Sequence, residues 1–345
     1  MNNDMERVQS FCSKIKNVKE QVFRDIVGQE EVVDNVIIAI IAGGNVLLEG
    51  VPGVGKTRLV RSLSRTLSLP FSRIQFTPDL MPSDVTGTVV IRKDKDGEMV
   101  SEFRRGPIFA NLVLADEINR ATPKTQSAML EVMQEHKVTV GNDTYKLDEP
   151  FFVLATQNPI EQDGTYPLPE AQTDRFMFKL IMGYPSDDEL ESIVAMTQKN
   201  AKETSAPVLN GGELLTMRKV ASEIPVCSEV MKYAIRLVGA THPEREDAPS
   251  VTRSYIRFGA SPRAAQALIT AAKVRALLYG RFNVSTGDID ALALPVLRHR
   301  IKPSFNAVTE RLDCDRLIGM LISELKGEKP KQEGTPDKRK KSKKI

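Results

Sequence analysis

Eight residues constrain this chain more than any others: Gly50-Val51-Pro52-Gly53-Val54-Gly55-Lys56-Thr57. Glycines spaced this way let successive backbone N–H groups turn inward around a phosphate, and a helix opening at the lysine adds a favourable dipole. The flanks suit that reading. Asn45 to Glu49 has the pattern of a short buried strand, and Leu59, Leu63 and Leu67 fall on one side of a following helix. Lys56 is placed to reach the β- and γ-phosphates of ATP. Thr57 is placed to offer its hydroxyl to Mg2+, which keeps several waters and takes substrate oxygens as further ligands. A plain glycine turn, the bland alternative, would need neither the strand nor the helix.

A strand-loop-helix unit implies an α/β scaffold, and the surrounding pattern agrees. Val33, Val36, Ile37, Ile40 and Ile41 lie on one face of a helix over Glu30 to Ala42, stopped by Gly43-Gly44. Further apolar strands are expected at Arg73 to Phe76, Leu112 to Ala115, Phe151 to Thr156 and Phe176 to Leu180, with helical pattern between most of them. A parallel sheet sandwiched by helices is the natural packing. Two hairpins interrupt it: Thr88 to Ile91 with Met99 to Phe103 around Asp96-Gly97, and Lys137 to Val140 with Thr144 to Leu147 around Gly141-Asn142-Asp143. Such inserts are either surface decoration or loops that touch a partner.

After Tyr184-Pro185 the pattern changes. Ser186 and Glu189 make a capping box, and everything beyond reads helical, at about Asp187 to Asn200, Gly211 to Glu223, Ser228 to Thr241, Pro262 to Tyr279, Thr286 to Arg298 and Val308 to Leu325. The expected architecture is therefore an α/β nucleotide-binding domain over residues 1–184, an all-α lid over 185–327 and a basic tail over 328–345.

Composition bounds the partners. With 41% hydrophobic and 27% charged residues in 345, the chain has material for two domains and a sizeable core. The formal charge of +3 is concentrated at the end: nine Lys or Arg against three acids from Lys326 onward leave the body at −3. That run reads as a solvated, disordered tail or, less simply, as an arm for nucleic acid or an anionic surface. Cys12, Cys227 and Cys314 give neither a disulfide framework nor a metal-binding spacing. No stretch approaches the ~20 apolar residues of a membrane span and no signal pattern opens the chain, so a cytoplasmic location is expected.

Five further residues carry chemistry. The run Leu112-Val113-Leu114-Ala115-Asp116-Glu117 is an apolar strand ending in adjacent carboxylates, at the edge where α/β sheets bind ligands. Asp116 is suited to orient a magnesium water and Glu117 to polarise the attacking water, which is most of what phosphoryl transfer requires. Asn158, in Gln157-Asn158-Pro159, is either a turn opener or an amide that holds the lytic water. Ser261-Pro262-Arg263 reads as N-cap, N1 and N2 of a helix, where a cation is disfavoured unless a phosphate is near. Arg263 is thus either a surface arginine or a sensor reaching the nucleotide across the cleft. Arg175 precedes the last strand, where the bland reading is a local pair with Asp174.

Taken together, Val27-Gly28-Gln29, the loop Gly50 to Thr57, Leu114-Ala115-Asp116-Glu117-Ile118-Asn119-Arg120, Ala155-Thr156-Gln157-Asn158-Pro159, Glu170-Ala171-Gln172-Thr173-Asp174-Arg175-Phe176 and Ser261-Pro262-Arg263 resemble the MoxR family of AAA+ ATPases. The resemblance runs in order from about Val22 to Glu324. It implies a ring, expected to be a hexamer, with ATP between subunits and Arg175 acting in trans as an arginine finger; Arg120 is a second interface candidate. It implies that Gly28 and Gln29 lie near the adenine, so that the nucleotide set comprises Gly28, Gln29, Gly50, Pro52, Gly53, Val54, Gly55, Lys56, Thr57 and Arg58, with Thr57 and Asp116 toward magnesium. The hairpins are then expected to face the pore or a partner. The work done is expected to be chaperone-like activation or metallation of a client protein, often one with a von Willebrand factor A domain. A ring motor on nucleic acid is the alternative, weakened because Lys93 and Lys95 are balanced by Asp94 and Asp96.

Overall fold

Alternation along the apolar strands decides how the sheet is packed, because it sends successive side chains to opposite faces. The computed structural model describes residues 2–93, 95–96, 98–159, 164–198 and 204–327. In chain order the strands of the first part are β1 (Val46–Gly50), β2 (Phe71–Gln75), the hairpin β3 (Gly87–Lys93) and β4 (Met99–Arg105), β5 (Leu112–Asp116), the hairpin β6 (Lys137–Val140) and β7 (Asp143–Lys146), β8 (Phe152–Gln157) and β9 (Phe178–Met182). Five of them form one parallel sheet in the order β2-β5-β8-β1-β9. Leu47, Val113, Ala115, Val153 and Ala155 enter one core; Val46, Leu48, Leu112, Leu114, Leu154, Phe178 and Leu180 enter the other. Both faces are buried, as an α/β sheet requires.

The helices of this part are α1 (Asn2–Val22), α2 (Glu30–Ala42), α3 (Lys56–Thr66), the short α4 (Pro82–Thr86), α5 (Pro123–Glu135) and α6 (Glu170–Thr173). The run Val32 to Ile41 in α2 is almost wholly buried, which suits a helix that is apolar nearly all round. It packs against β9 on one side and against α8 (Gly211–Ser222) and α11 (Pro262–Leu278) on the other. One core therefore runs from the sheet into the C-terminal helices, which also include α7 (Asp187–Gln198), α9 (Ser228–Gly239), α10 (Ser250–Tyr255), α12 (Thr286–Leu297), α13 (Phe305–Thr309) and α14 (Cys314–Leu325).

Several expectations need correction. The first 22 residues carried no assigned element, yet α1 buries Val8, Phe11, Ile15, Val18 and Val22 against α3 and α11. The C-terminal part is not purely helical: β10 (Ile256–Phe258) pairs antiparallel with β11 (Lys302–Pro303). The single helix read over Val308 to Leu325 is broken, because Arg311 takes φ +56° and Asp313 starts a new helix by accepting from Arg316 N–H at 2.8 Å. The last sheet strand begins at Phe178 rather than Phe176; the Phe176 carbonyl accepts from His299 and Arg300. The basic tail at 328–345 and the turn residues Asp94 and Gly97 lie outside the described residues.

Candidate functional site

The glycine loop starts where β1 ends. Gly53 and Gly55 have φ of +87° and +92°, a backbone state that L side chains rarely adopt, and α3 begins at Lys56 with Gly55 as its N-cap. The free N–H groups of that helix start face the loop, with the dipole's positive end behind them. Lys56 Nζ donates to the Gly50 carbonyl at 2.7 Å, which holds the ammonium over the loop.

Beside the loop lies a cavity of about 320 Å³ lined by Pro52, Gly53, Val54, Gly55 and Arg58, by Val27 and Gln29, and by Leu190, Ile193 and Met196 of α7. One wall is backbone N–H and cation, the other apolar, as a nucleotide with a charged tail and a flat base requires. Arg58 donates to Met196 Sδ at 3.2 Å while its Nε is buried without a partner. Gln29 Nε2 donates to the Gly183 carbonyl at 3.1 Å. Gly28 does not line the cavity itself; it takes φ +67° directly beneath Glu189, whose carboxylate accepts from Ser186 N–H at 2.7 Å and caps α7. Asp25, which also lines the cavity, is penalised by burial, but it accepts from the N–H groups of Thr204 at 2.7 Å and Ser205 at 3.3 Å, and hydrogen bonding outweighs the burial and holds its carboxyl below the usual carboxylate range.

The acid pair ends β5 at the same sheet edge. β8 lies between β5 and β1, so Asp116 and the glycine loop stand two strand spacings apart, ~10 Å. Asp116 is buried; its Oδ2 accepts from Arg73 Nε at 3.0 Å and Nη2 at 2.7 Å, and its Oδ1 accepts from Thr156 Oγ at 2.6 Å. Glu117 sits in the left-handed region at φ +57°, a strained state for a non-glycine residue. Its N–H donates to Thr156 Oγ at 2.8 Å. The Glu117 carboxylate accepts from Gln75 Nε2 at 2.9 Å and from Arg120 Nη1 at 3.1 Å. Asn158, just past β8, is buried at the same edge. Thr156, Arg73 and Gln75 thus order the pair. None of the three was given a role from the sequence, although Thr156 lay inside a quoted block and Gln75 is the last residue of β2.

A hydroxyl, a carboxylate and phosphate oxygens are the hard donors magnesium prefers. Among the described residues, no group of three or more His, Cys, Asp or Glu could hold a metal by itself. Thr57 and Asp116 fit an ion that arrives with its nucleotide.

The two remaining arginines lie elsewhere. Met177 N–H donates to the Asn45 carbonyl at 2.8 Å, so Arg175 stands at the strands' N-terminal edge, while Gly50 ends β1 at the opposite edge. Five residues of strand separate the two edges, ~16 Å. Arg175 does not pair with Asp174; its Nη1 donates to the Leu130 carbonyl at 3.2 Å, and its Nε is buried without a partner. Arg263 is not at its own chain's nucleotide cavity. Ser261 caps α11 as read, accepting from Arg263 N–H at 3.2 Å, but the Arg263 side chain donates to Asp174 at 3.2 Å. Arg175, Arg263 and Arg300 line one cavity of about 280 Å³ together with Gly43, Gly44 and His136. Asp174 is penalised by burial, yet Ser261, Arg300 and Arg263 hold its carboxyl below the usual range.

The model of the ATPase family associated with various cellular activities (AAA) matches residues 45–178, and that of the AAA lid domain matches 249–315. The chain is 43% identical over 320 residues to Chaperone MoxR1 of Mycobacterium tuberculosis, covering 91% of this chain and 83% of the relative. It is 29% identical over 299 residues to Protein MoxR of Methylorubrum extorquens, covering 82% and 86%. A crystal structure of a candidate ATPase from Cytophaga hutchinsonii superposes with a TM-score of 0.85 at 41% identity, covering 92% of this chain and 96% of that one. Among the described residues no helix is long and apolar enough to cross a membrane.

Proposed function

Because this chain belongs to the MoxR family of AAA+ ATPases, we propose that it binds magnesium–ATP above the glycine loop and hydrolyses it where two copies of the chain meet. The observation that carries this reading is the separation of charges across the sheet. The glycine loop, Lys56, Asp116, Glu117 and Asn158 share the C-terminal strand edge, whereas Arg175 and Arg263 share the other. A guanidinium ~16 Å of strand away cannot serve its own chain's γ-phosphate. It can serve a neighbour's, because Arg175 and Arg263 line one cavity at that edge.

In that arrangement Lys56 and the loop N–H groups bind the phosphates, while Thr57 and Asp116 hold magnesium, which neutralises phosphate charge. Glu117 polarises the attacking water, Asn158 orients it, and the neighbour's Arg175 and Arg263 stabilise the charge that develops. A closed ring, six-fold in our reading, repeats one such interface. The work done is remodelling or activation of a client protein, including a metal-cofactor insertion or a von Willebrand factor A-domain client, in the cytoplasm. The name of the M. tuberculosis relative supports a protein client over nucleic acid.

The test is ATP turnover by the purified chain with and without magnesium, alongside Glu117→Gln. The variant should bind nucleotide like the parent and lose turnover by roughly 100-fold or more, the usual worth of a general base. Held in the ATP-bound state, it should retain a specific client from lysate. Parent-like turnover in the variant, or turnover indifferent to magnesium, would refute the assignment.

A further inference from the structure

Arg300 lies just past α12, far in sequence from every motif, and its side chain is 2% exposed. A guanidinium has five N–H donors, and this one directs each of them. Nε donates to Asp174 Oδ1 at 2.9 Å, Nη2 to the carbonyls of Asp174 at 3.0 Å and Phe176 at 2.6 Å, and Nη1 to the carbonyls of Met177 at 3.1 Å and Val296 at 2.5 Å. Every target but Val296 brackets Arg175. The two residues before Arg300 reinforce the grip: His299 Nε2 donates to the Phe176 carbonyl at 3.1 Å and Arg298 Nη1 donates to the Lys179 carbonyl at 3.4 Å.

A buried guanidinium is a poor way to gain stability, since an apolar side chain of like volume does as well or better. What a fully bonded fork supplies instead is fixed geometry. We propose that Arg300 is the positioning residue for Arg175: the C-terminal helical part splints the backbone from Asp174 to Met177 so that the finger meets the neighbouring copy's nucleotide. This rests on the interface reading above, since Arg175 has no reaction to serve within its own chain. Arg263, bound to the same Asp174, is drawn into the same rigid group.

The experiment is subunit mixing with the full chain. Arg300→Met removes the fork, and Arg300→Lys keeps the charge but not the planar five-donor geometry; Lys also guards against loss of fold in Met. Both variants should bind a fluorescent ATP analogue with magnesium within about twofold of the parent, because the nucleotide cavity is at the other sheet edge, and both should lose turnover by at least about tenfold, a conservative fraction of an arginine finger's worth. Mixing either with Glu117→Gln should restore turnover well above the two parts. The Arg300 variant then supplies an intact loop and acid pair, and the Glu117 variant supplies an intact finger. A residue needed only for folding, or only for its own chain's site, would give no such recovery. Arg175→Ala mixed with Glu117→Gln is the reference. If the reference mixture recovers and the Arg300→Lys mixture does not, or if Arg300→Lys alone turns over like the parent, the positioning role is overturned. If the reference mixture itself stays inactive, the interface reading fails and takes this role with it.

Discussion

Arg73 places both Nε and Nη2 on one oxygen of Asp116, at 3.0 and 2.7 Å, so the carboxylate we assign to magnesium already faces a cation. The arginine is 43% exposed and can swing away, whereas Asp116 is fixed by Thr156. Arginine and metal therefore compete for Asp116. Arg73→Met should lower the magnesium concentration that half-saturates binding of a fluorescent ATP analogue, by roughly threefold to tenfold, about the worth of one exposed-side charged hydrogen bond. A titration in which the variant needs more magnesium than the parent would show that Arg73 assists the ion instead.

Gln75 holds Glu117, the base in our reading, in a comparable way. Its amide donates to Glu117 Oε2 at 2.9 Å, the oxygen that also accepts from Arg120. Both bonds fall on Oε2 and hold the carboxylate where it is, so the tether restrains Glu117 from turning to an attacking water until it lets go. Gln75→Ala removes one neutral hydrogen bond, worth about 1 kcal/mol, and should raise basal turnover roughly fivefold with nucleotide affinity unchanged. Steady-state turnover at saturating ATP decides it, and a fall would mean that Gln75 aims Glu117 rather than restrains it.

Much of this fold was legible because its signals are local. Glycines at positive φ, apolar strands ending in carboxylates, and the Ser186 and Ser261 caps are all set by residues within one turn or strand of each other. α1 was missed although Val8, Phe11, Ile15, Val18 and Val22 recur at helical spacing; its charged remainder and lack of a motif hid the stripe. Arg300 could not be read, because its role arises from carbonyls more than 100 positions away that only the tertiary fold brings close. The position of Arg263 failed for the same reason: the helix start was correctly read, but which edge of the sheet that helix meets is set by how α11 packs on α2.

Gly28, assigned to the nucleotide set in our reading, does not line the cavity and would act on it through Glu189. A Cβ added there would come within 1.9 Å of Glu189 Oε1, at a φ of +67° that alone disfavours alanine by about 1 kcal/mol. The Glu189 carboxylate would have to swing out of its bond with Ser186 N–H, which loosens the start of α7, the helix that brings Leu190, Ile193 and Met196 to the cavity. Gly28→Ala should weaken ATP binding roughly fivefold to tenfold while turnover at saturation stays within about twofold, because Lys56 and Glu117 are undisturbed. Equilibrium binding separates the effects, and an unchanged affinity would remove Gly28 from the nucleotide set.

Asp288 provides the acid-sensitive point of the C-terminal helices. Its carboxylate is fully buried and accepts from Arg275, from Arg281 and from both the N–H and the hydroxyl of Ser285. Burial alone would raise its pKa; the hydrogen bonds from Arg281, Ser285 and Arg275 outweigh it, and the group titrates far below the ordinary aspartate value. With the folded pKa depressed, its stabilisation is complete above the unfolded value near pH 4 and is lost as pH falls toward the folded one. Asp288→Asn leaves two part-exposed guanidinium groups without their carboxylate and should cost about 2 kcal/mol, lowering the melting temperature by roughly 3 °C at pH 7. The gap between variant and parent should hold down to about pH 4 and narrow only beneath it. Thermal melts across that range check the sign: a gap already closing near pH 6 would mean that another group controls the acid lability.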